Sequence, residues 1–379
     1  MMQEIYLDNN ATTPVDPQVV EAMESSLKEN FGNPSSVHAH GRRARVRIEN
    51  ARGEVASLLS ASDNEIYFTS GGTEANNLAI TGVYFKHRNT GNHIIATKVE
   101  HPSVLGTLKF LEQNGARISY VSVDTNGNLD LSELEKDITK DTILISVMLV
   151  NNEIGNIYPI KKISQIAHRK NILVHTDAVQ AVGKIPVNIN ELGIDLLSLS
   201  GHKFYGPKGI GALYIKNGIS LEPLFHGGSQ EKGIRSGTEN TAAIIGLGKA
   251  VELIQEKLPV EIERISRLRK KLEAHLLKIT GVSINGDQER RIPGTINIRC
   301  KDISGEALLQ NLDLANISVS SGSACASGSL EPSHVLLAMG LTKDEAKSSI
   351  RISLGRFTTE EELDEFIKVI MNTVNRLRK

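Results

Sequence analysis

The feature that most constrains the fold is an alternation of short apolar runs and helical patterns between about residues 65 and 215. Strands that are separated by helices form βαβ units, in which the strands run parallel within one sheet. The sequence therefore predicts an α/β fold with a mainly parallel, seven-stranded sheet. The predicted strands are residues 65–69, 93–97, 117–121, 142–147, 172–176, 195–200 and 211–215, and the helices between them include 73–86, 102–113 and 160–169.

A smaller α+β unit is predicted after residue 238, where a long helical stretch over residues 242–279 replaces the alternation. A chain of 379 residues exceeds the size at which a single hydrophobic core usually stops growing. We therefore expect a large domain at residues 15–257 and a small domain made of residues 1–14 and 258–379. The small domain is predicted to contain strands at 282–285, 294–299 and 349–354, helices near 305–313 and 359–378, and a loop at about 320–332.

Composition limits the possible classes of function. The formal net charge of −1 gives no bulk attraction to nucleic acid or to an anionic membrane, and no apolar run approaches the roughly 20 residues that span a bilayer. The N-terminus lacks the basic region and apolar stretch of a secretory signal. The two cysteines, Cys300 and Cys325, cannot form a disulfide framework. We therefore expect a soluble cytoplasmic protein with no nucleic-acid or membrane partner.

Residues 70–74, Ser-Gly-Gly-Thr-Glu, lie between a predicted strand and a predicted helix and are here called the phosphate cup. Glycines allow the backbone to approach a ligand closely, and free N–H groups at a helix start favour an anion. A phosphate is the expected ligand of Gly72 and Thr73, although a plain strand-to-helix turn explains the motif at least as well on its own. The motif lacks the lysine of an NTPase phosphate loop, which argues against that class.

Asp177 ends an apolar strand, and a buried carboxylate at that position needs a cationic partner. The protonated pyridine nitrogen of pyridoxal 5′-phosphate (PLP) meets this need, and its charge makes the ring an electron sink. Gln180, three residues further on, is within reach of the phenolic oxygen of the same ring. The alternative is an aspartate that caps the following helix.

Lys203 follows another strand and a tight glycine turn, so it lies at the edge of the sheet where parallel strands place ligands. A lysine there can bind PLP as a Schiff base, whereas most lysines in loops are simply exposed. Ser200 and His202 belong to the same turn and can face a phosphate. His101, after a further strand, offers an imidazole to stack on a pyridine ring, with a structural histidine as the alternative. Together these residues predict a PLP site.

Cys325 lies in a run of almost only small residues, Ser-Ser-Gly-Ser-Ala-Cys-Ala-Ser-Gly-Ser at 320–329. Such a run buries little apolar area, and we expect it to move enough to carry a thiol between a buried site and the surface. A linker with an incidental cysteine is the alternative. Cys300 ends a predicted strand, and we interpret it as a packing residue.

Stretches along nearly the whole chain, from residue 6 to residue 357, resemble the NifS/IscS-type cysteine desulfurases. These are PLP-dependent enzymes of fold type I within the class-V aminotransferase superfamily. The stretch around the second cysteine separates this group from aminotransferases that share the fold. The matching stretches are YLDNNATTPVDP, FGNPSSVH, TSGGTEANN, EHPSVL, VNNEIG, HTDAVQ, SGHKFYGPKGIG, RSGTEN, SSGSACASGSLEPS and SSIRISLGRF.

The resemblance implies a role for each matching residue. Cys325 is the nucleophile that takes the sulfur of L-cysteine as a persulfide and leaves L-alanine, with Lys203 and His101 as further catalytic residues. Asn152 and Arg351 bind the substrate, Arg351 at its carboxylate. The implied cofactor contacts are Lys203 as the Schiff-base lysine, His101 stacked on the ring, Asp177 and Gln180 on its nitrogen and phenolic oxygen, Gly72, Thr73, Ser200 and His202 on the phosphate, and Thr238 on the phosphate from the other subunit of a homodimer.

The resemblance also implies a sulfur-acceptor protein, either an iron–sulfur scaffold or a thiolation enzyme, and hence a role in iron–sulfur cluster assembly or another sulfur-transfer pathway. In IscS relatives a longer C-terminal tail contacts the scaffold, whereas this chain ends at Lys379. We expect no dedicated metal site, with Cys325 at most a transient ligand of an iron–sulfur cluster.

Three alternatives remain. One is another fold-type-I PLP enzyme, such as a selenocysteine lyase, a β-lyase or an aminotransferase, none of which depends on a loop cysteine in the same way. Another is a sulfur carrier that has kept the fold without catalysis. A nicotinamide-dependent dehydrogenase is disfavoured because no G-x-G-x-x-G motif follows the first strand.

Overall fold

The computed structural model of the protein describes residues 4–321 and 331–378. Strands and helices alternate along much of the chain, as the sequence predicts. The strands are β1 (Ile5–Tyr6), β2 (Ile66–Thr69), β3 (His93–Thr97), β4 (Arg117–Val121), β5 (Thr142–Ser146), β6 (Leu173–Asp177), β7 (Leu196–Ser200), β8 (Gly211–Ile215), β9 (Val282–Asn285), β10 (Thr295–Cys300), β11 (Ile317–Ser318) and β12 (Ser349–Ser353). The α-helices are α1 (Pro17–Glu29), α2 (Ala39–Leu59), α3 (Gly72–His87), α4 (Pro102–Gln113), α5 (Leu131–Asp137), α6 (Ile160–His168), α7 (Ile189–Leu192), α8 (Thr241–Leu276), α9 (Gly305–Asp313), α10 (His334–Ala338), α11 (Lys343–Lys347) and α12 (Glu360–Leu377).

The largest sheet contains seven of the described strands, in the order β2-β8-β7-β6-β5-β3-β4. The strands from β3 to β7 run parallel, while β8 runs antiparallel to both of its neighbours, β2 and β7. The prediction of a mainly parallel, seven-stranded sheet is confirmed. Parallel strands all end at the same edge of a sheet, so β3, β6 and β7 bring the segments that follow them together there.

Helices bury both faces of this sheet. Successive strand residues point to opposite faces, so Ile94 and Ile95 belong to different apolar clusters, as do Leu196 and Leu197. One cluster packs α3 and α4 against the sheet, and the other packs α6 and the first half of α8. This two-sided burial explains the continuous apolar runs of the sequence. None of the helices in the described ranges is long and apolar enough to cross a membrane.

The C-terminal part of the chain has its own apolar core. Strands β12, β10 and β9 form an antiparallel sheet, and β1 pairs in parallel with β11. Leu7 from the N-terminus packs in this core with Leu272, Ile352 and Phe366. The N-terminal residues therefore contribute to the C-terminal core, while the limits of the two domains stay a prediction.

Several elements differ from those that the sequence predicts, either in their ends or because they were not predicted. Helix α2 is rich in arginine and glutamate and was not among the predicted helices, although Ala44, Ile48, Val55 and Leu59 recur at helical spacing and are buried. Strand β6 ends at Asp177, one residue later than the predicted strand at 172–176. The shift makes Asp177 the last residue of a buried strand.

Candidate active site

The carboxyl ends of three parallel strands carry candidate site residues. Asp177 is the last residue of β6, and Lys203 lies in the 3-10 turn Gly201–Lys203 directly after β7. His101 follows β3 and caps α4. Since these strands are neighbours or near neighbours in one sheet, residues about a hundred positions apart in sequence converge at its edge.

The phosphate cup begins α3 beside the ends of β6 and β7. Gly71 has a φ of +152°, which favours glycine, and no side chain caps the start of α3. A Cβ at Gly72 would lie 2.6 Å from Cγ2 of Val179, and a Cβ at Gly71 would lie 3.7 Å from Oγ of Ser200. The cup thus packs closely against both strand ends, and the N–H groups of the first helical turn can receive an anion.

Two donors hold the carboxylate of Asp177, which is 6% exposed. The side-chain nitrogen of Asn76, on α3, donates to Oδ2 at 2.7 Å, and the backbone N–H of Val179 donates to Oδ1 at 2.9 Å. The Val179 contact is the local bond expected of an aspartate at the start of a turn. The Asn76 contact crosses 101 sequence positions and fixes the carboxylate relative to the phosphate cup.

His101 is held by the first turn of the helix that it caps. The backbone N–H of Ser103 donates to Nδ1 of His101 at 3.1 Å, and Oγ of Ser103 lies 2.8 Å from the same nitrogen. Burial lowers the pKa of His101; the charge of Asp177 opposes this shift and the charge of Lys203 adds to it. His101 therefore lies within electrostatic reach of both residues and presents a neutral imidazole.

The amine of Lys203 contacts an N-terminal segment, residues 8–13. Its Nζ donates to the carbonyl oxygens of Asn10 at 2.9 Å and of Ala11 at 2.6 Å. The backbone N–H of Thr13 donates to the carbonyl oxygen of His202 at 3.0 Å, so the segment also binds the turn itself. Segment 8–13 therefore sets the position of the lysine amine.

His202 and Ser200 are the other predicted phosphate ligands of this turn. Ser200 is 3% exposed and ends β7 beside the cup. Nδ1 of His202 lies 3.1 Å from Oγ1 of Thr12. Burial lowers the pKa of His202 to about 4, with the charge of Lys203 as the next cause. His202 is therefore neutral near neutral pH and would bind a phosphate as a hydrogen-bond donor.

Gln180 and Lys203 share an acceptor. Nε2 of Gln180 donates to the carbonyl oxygen of Asn10 at 2.9 Å, the same atom that accepts from Lys203. Nζ of Lys184 donates to Oε1 of Gln180 and, at 2.8 Å, to Oδ1 of Asn10. Burial lowers the pKa of Lys184 well below its usual value, and the charges of Lys203 and Arg351 contribute. Asn10 thus binds Lys203, Gln180 and Lys184.

Arg351 lies in β12, and its side chain is 2% exposed. Its Nη1 donates to the carbonyl oxygen of Asn152 at 3.0 Å, and its Nη2 donates to Oδ1 of Asp8 at 2.9 Å. Asn10 also donates to the carbonyl oxygen of Asn152, at 3.1 Å. The structure therefore brings Asn152 and Arg351 together and links them to segment 8–13. Within the described ranges Nε of Arg351 has no hydrogen-bond partner, which leaves a donor for a carboxylate.

Thr238 is exposed on the loop before α8. Three residues earlier, Nε of Arg235 donates to Oε1 of Glu74 at 2.8 Å. Oε2 of Glu74 accepts from the backbone N–H of Ser70, also at 2.8 Å. The loop is thus bound to the phosphate cup of its own chain, where Thr73 is exposed as well.

The two cysteines differ in setting. Cys325 and most of the predicted loop at about 320–332 lie outside the described residues. Cys300 ends β10 and is 0% exposed within the C-terminal core. Burial raises the pKa of its thiol to about 11, so Cys300 is a packing residue rather than a nucleophile.

The sequence predicts no role for Asn10, Asn76 or Lys184, although these residues bind Lys203, Asp177 and Gln180 of the predicted site. Asn10 is 2% exposed and Asn76 is 1% exposed. Buried polar side chains of this kind are normally bound to something specific. The signal in the sequence is a polar pair, Asn9-Asn10, shortly after the apolar residues Ile5–Leu7. For Asn76 and Lys184 the sequence gives no comparable signal. No group of side chains within residues 4–321 and 331–378 is arranged to hold a metal ion.

Comparison with known proteins places this site in a family. The class-V aminotransferase family model matches residues 5–366. The cysteine desulfurase IscS of Dictyoglomus turgidum is 52% identical over 379 residues, which cover all of this chain and 96% of the relative. A cysteine desulfurase of a Nostoc species is 50% identical over 378 residues, with 94% of that relative covered.

Solved structures give the same result. A NifS-like protein superposes with a TM-score of 0.94 at 41% identity, covering 99% of this chain and 100% of the other. SspA in complex with cysteine superposes with a TM-score of 0.84 at 37% identity, covering 94% of this chain and 100% of the other. The fold and the site together define a class-V aminotransferase enzyme. Within that family, this chain belongs to the NifS/IscS-type cysteine desulfurases.

Proposed function

We propose that the protein binds PLP at Lys203 and transfers the sulfur of L-cysteine to Cys325 as a persulfide, releasing L-alanine. The observation that carries the proposal is that Asp177, Lys203 and His101 lie at the carboxyl ends of β6, β7 and β3, at one edge of the same sheet. A lysine, a carboxylate and a neutral imidazole on three different strand ends are the groups that a pyridoxal ring needs.

The described residues fit this cofactor. The uncapped start of α3 suits the phosphate, and the buried carboxylate of Asp177 suits a cationic ring nitrogen. The amide of Gln180 can donate to the phenolic oxygen with the hydrogen that it does not give to Asn10. The residues that would hold the cofactor are Gly72, Thr73, Ser200 and His202 at the phosphate, Asp177, Gln180 and His101 at the ring, Lys203 as the covalent link, and Thr238 from a second subunit.

When bound, PLP supplies an electron-withdrawing ring that stabilises negative charge at the α-carbon of the substrate. Nζ of Lys203 is the base that takes the α-proton, since it is the amine of the site that the carbonyls of Asn10 and Ala11 orient. Arg351 binds the substrate carboxylate, because its buried guanidinium can make charge-assisted bonds in a fixed plane. Asn152 lies beside it and limits where the rest of the substrate sits.

The thiolate of Cys325 then attacks the sulfur of the substrate. An S–S bond forms and the C–S bond breaks, while the three-carbon fragment keeps the electron pair of that bond and takes up protons. The products are alanine and a persulfide on Cys325, so the atoms of one cysteine and one thiol are all accounted for. The reaction needs no external oxidant or reductant.

A homodimer is part of the proposal. Thr238 is exposed at the end of a loop that Arg235 binds to its own phosphate cup. Leu27, Phe31 and Val37, which lie close together in the sequence, are 68%, 71% and 88% exposed, and exposed apolar side chains of this kind can be covered by a subunit contact. The sulfur would pass from Cys325 to an acceptor protein in the cytoplasm, either an iron–sulfur scaffold or a thiolation enzyme.

The decisive experiment is incubation of the purified protein with PLP and L-cysteine, with alanine and persulfide or sulfide measured together. Equal amounts of alanine and transferred sulfur are expected. Amino-group transfer to a keto acid without loss of sulfur would instead support an aminotransferase. A large preference for selenocysteine over cysteine would support a selenocysteine lyase.

A further inference from the structure

Asn76 links Asp177 to His101, because its side chain binds both Asp177 and Ser103, and Ser103 binds His101. Its side-chain nitrogen lies 2.7 Å from Oδ2 of Asp177 and 2.9 Å from Oγ of Ser103. An amide NH2 group has two hydrogens, one for each oxygen. The reverse orientation would place the carbonyl oxygen of Asn76 against a carboxylate, so the contact with Asp177 determines which way the amide points.

The orientation of Asn76 leaves one atom without a partner. Oδ1 of Asn76 is buried and has no hydrogen-bond partner in the part of the chain that the structure describes. A buried acceptor without a bond costs free energy. The two hydrogen bonds that Asn76 donates, to Asp177 and Ser103, offset this cost.

The same chain of contacts determines where His101 carries its proton. The backbone N–H of Ser103 can only donate, and it points at Nδ1 of His101. Nδ1 therefore has no hydrogen, and the hydroxyl of Ser103 also donates to it. Since that hydroxyl accepts from Asn76, the bonds run in one direction, from Asn76 through Ser103 to His101. The proton of the neutral imidazole must lie on Nε2.

We propose that Asn76 and Ser103 are positioning residues, which hold the carboxylate of Asp177 in place for the ring nitrogen of the cofactor and fix His101 as the Nε2–H tautomer. This inference rests on the proposed function, in which Asp177 and His101 contact PLP. Burial and the charge of Lys203 lower the pKa of His101, which agrees with a neutral ring. His101 can then act as a donor from Nε2 but not as an acceptor there.

A double-mutant cycle tests the link to Asp177. Asn76→Leu keeps a similar volume and removes both donors, and it should weaken PLP binding about tenfold or more, the usual range for residues that orient a ligand-binding group. In the Asp177→Asn background the same substitution should change the PLP dissociation constant about twofold or less. An equal loss in both backgrounds would show that Asn76 does not act through Asp177.

Matched variants separate this effect from general damage. Asn285 is also buried, at 7% exposed, and its side-chain nitrogen donates to Oδ1 of Asn297 at 2.8 Å and Oγ of Ser349 at 3.2 Å. Asn285→Leu should lower the melting temperature but leave the PLP dissociation constant of the folded protein unchanged. If Asn76→Leu does not fold, Asn76→Ser, which keeps one donor, enters the same cycle.

Histidine-selective ¹⁵N NMR tests the tautomer in the apoprotein, so this arm does not depend on the cofactor. The signals of His101 are assigned as those missing from His101→Asn. In the parent protein we expect Nδ1 of His101 without a hydrogen and Nε2 with one. In Ser103→Ala we expect His101 to titrate with a higher midpoint, because the neutral ring loses the hydroxyl that donates to Nδ1. Thr107→Val, which removes a hydroxyl that bonds the backbone of Ser103 at 2.7 Å, is the control and should leave the midpoint unchanged. A protonated Nδ1 in the parent protein would overturn the assignment.

The outcomes also separate the two proposals. If the parent binds PLP but releases no sulfur from cysteine, the proposed function fails while the cycle still measures the coupling of Asn76 to Asp177. If the parent desulfurates cysteine and the cycle shows no coupling, the inference about Asn76 fails alone. A parent that does not bind PLP overturns the role of Asn76 toward the cofactor, and the NMR result then decides only the tautomer.

Discussion

Nη2 of Arg351 donates a hydrogen bond to Oδ1 of Asp8 at 2.9 Å, and the guanidinium side chain is 2% exposed. The residue proposed to bind the substrate carboxylate is thus already paired with a carboxylate of the protein. Within the described ranges its Nε has no partner. Arg351 can therefore bind a substrate carboxylate beside Asp8, but the negative charge of Asp8 weakens the attraction between the guanidinium and that carboxylate.

Asp8→Asn should bind cysteine more tightly. Asparagine keeps an acceptor for Nη2 and removes the competing charge, so we expect the KM for cysteine to fall severalfold. Stability should fall by about 1–3 kcal/mol, because a buried guanidinium loses its counter-charge. Steady-state kinetics and thermal melting measure the two effects.

The control for Asp8→Asn is another buried pair, Arg356 and Asp16, with side chains 8% and 5% exposed. Asp16→Asn should reduce stability without changing KM. A higher KM in Asp8→Asn would mean that Asp8 mainly positions Arg351 rather than competing with the substrate.

Lys203→Ala should abolish the covalent link to PLP. Borohydride reduction of the parent protein should attach the cofactor to the peptide that contains Lys203. Lys184 is the natural competitor, because its amine is in the same cluster and has a lowered pKa, but it is bound to Gln180 and Asn10. Lys184→Met should therefore keep the label on Lys203, and a label on Lys184 in the parent would refute the assignment.

Much of the fold was predictable because the sheet is buried on both faces. The apolar runs of β3 and β8 are buried throughout and have the limits that the sequence predicts. Helix α2 was not predicted, since its buried stripe is narrow and the rest of its surface is charged. The periodicity that identifies it is clear only once a neighbouring helix, α8, is known to cover it.

The site was predictable only in part, for a related reason. Asp177, Lys203 and His101 follow apolar strands, and the rule that parallel strands end at one edge predicts their proximity. The contacts of Asn10 depend on where segment 8–13 packs, and those of Asn76 depend on which face of α3 lies against β6. Asn10 bonds to residues 142 to 343 positions away, and no local pattern encodes such a distance.

Glu100→Gln should change how stability depends on pH. Glu100 is 0% exposed, and burial raises the pKa of its carboxyl to about 8. The folded protein therefore keeps a proton that the unfolded chain releases above about pH 4.3. Stability falls as pH rises through that window, by at most about 1.4 kcal/mol per pH unit. Glutamine stays neutral, so the advantage of the variant over the parent should grow from about pH 5 to about pH 8.

The measurement for Glu100 is the melting temperature of parent and variant over that pH range. The bonds that Glu100 accepts from Thr97 and Met148 will be altered by glutamine at every pH, which gives a constant offset. Only the pH-dependent part of the difference tests the prediction. An offset that stays constant would show that Glu100 is ionised at all these pH values.

Mixed dimers test whether Thr238 acts across a subunit interface. If it does, a dimer of one Lys203→Ala subunit and one Thr238→Ala subunit has one site with an intact lysine and an intact threonine. About half of the parental activity should return, although each homodimer is impaired. If Thr238 serves its own chain, each site of the mixed dimer has one defect and activity stays low. Two affinity tags isolate the mixed species for the assay.

Cys325→Ser separates a desulfurase from every other PLP enzyme considered above. Binding of the substrate and loss of its α-proton depend on Lys203, Asp177 and Arg351 and need no thiol of the protein. The variant should therefore bind PLP, bind cysteine and exchange the α-hydrogen with deuterium, which mass spectrometry of recovered cysteine measures. Persulfide on the protein and sulfur release should be lost, because serine cannot form the S–S bond.

The matched control for this prediction is Cys300→Ser, since Cys300 is 0% exposed and the pKa of its thiol is raised to about 11. This variant should keep full activity and lose at most about 1 kcal/mol of stability. Sulfur release by Cys325→Ser at the parental rate would exclude the persulfide mechanism and leave a lyase that expels sulfide directly.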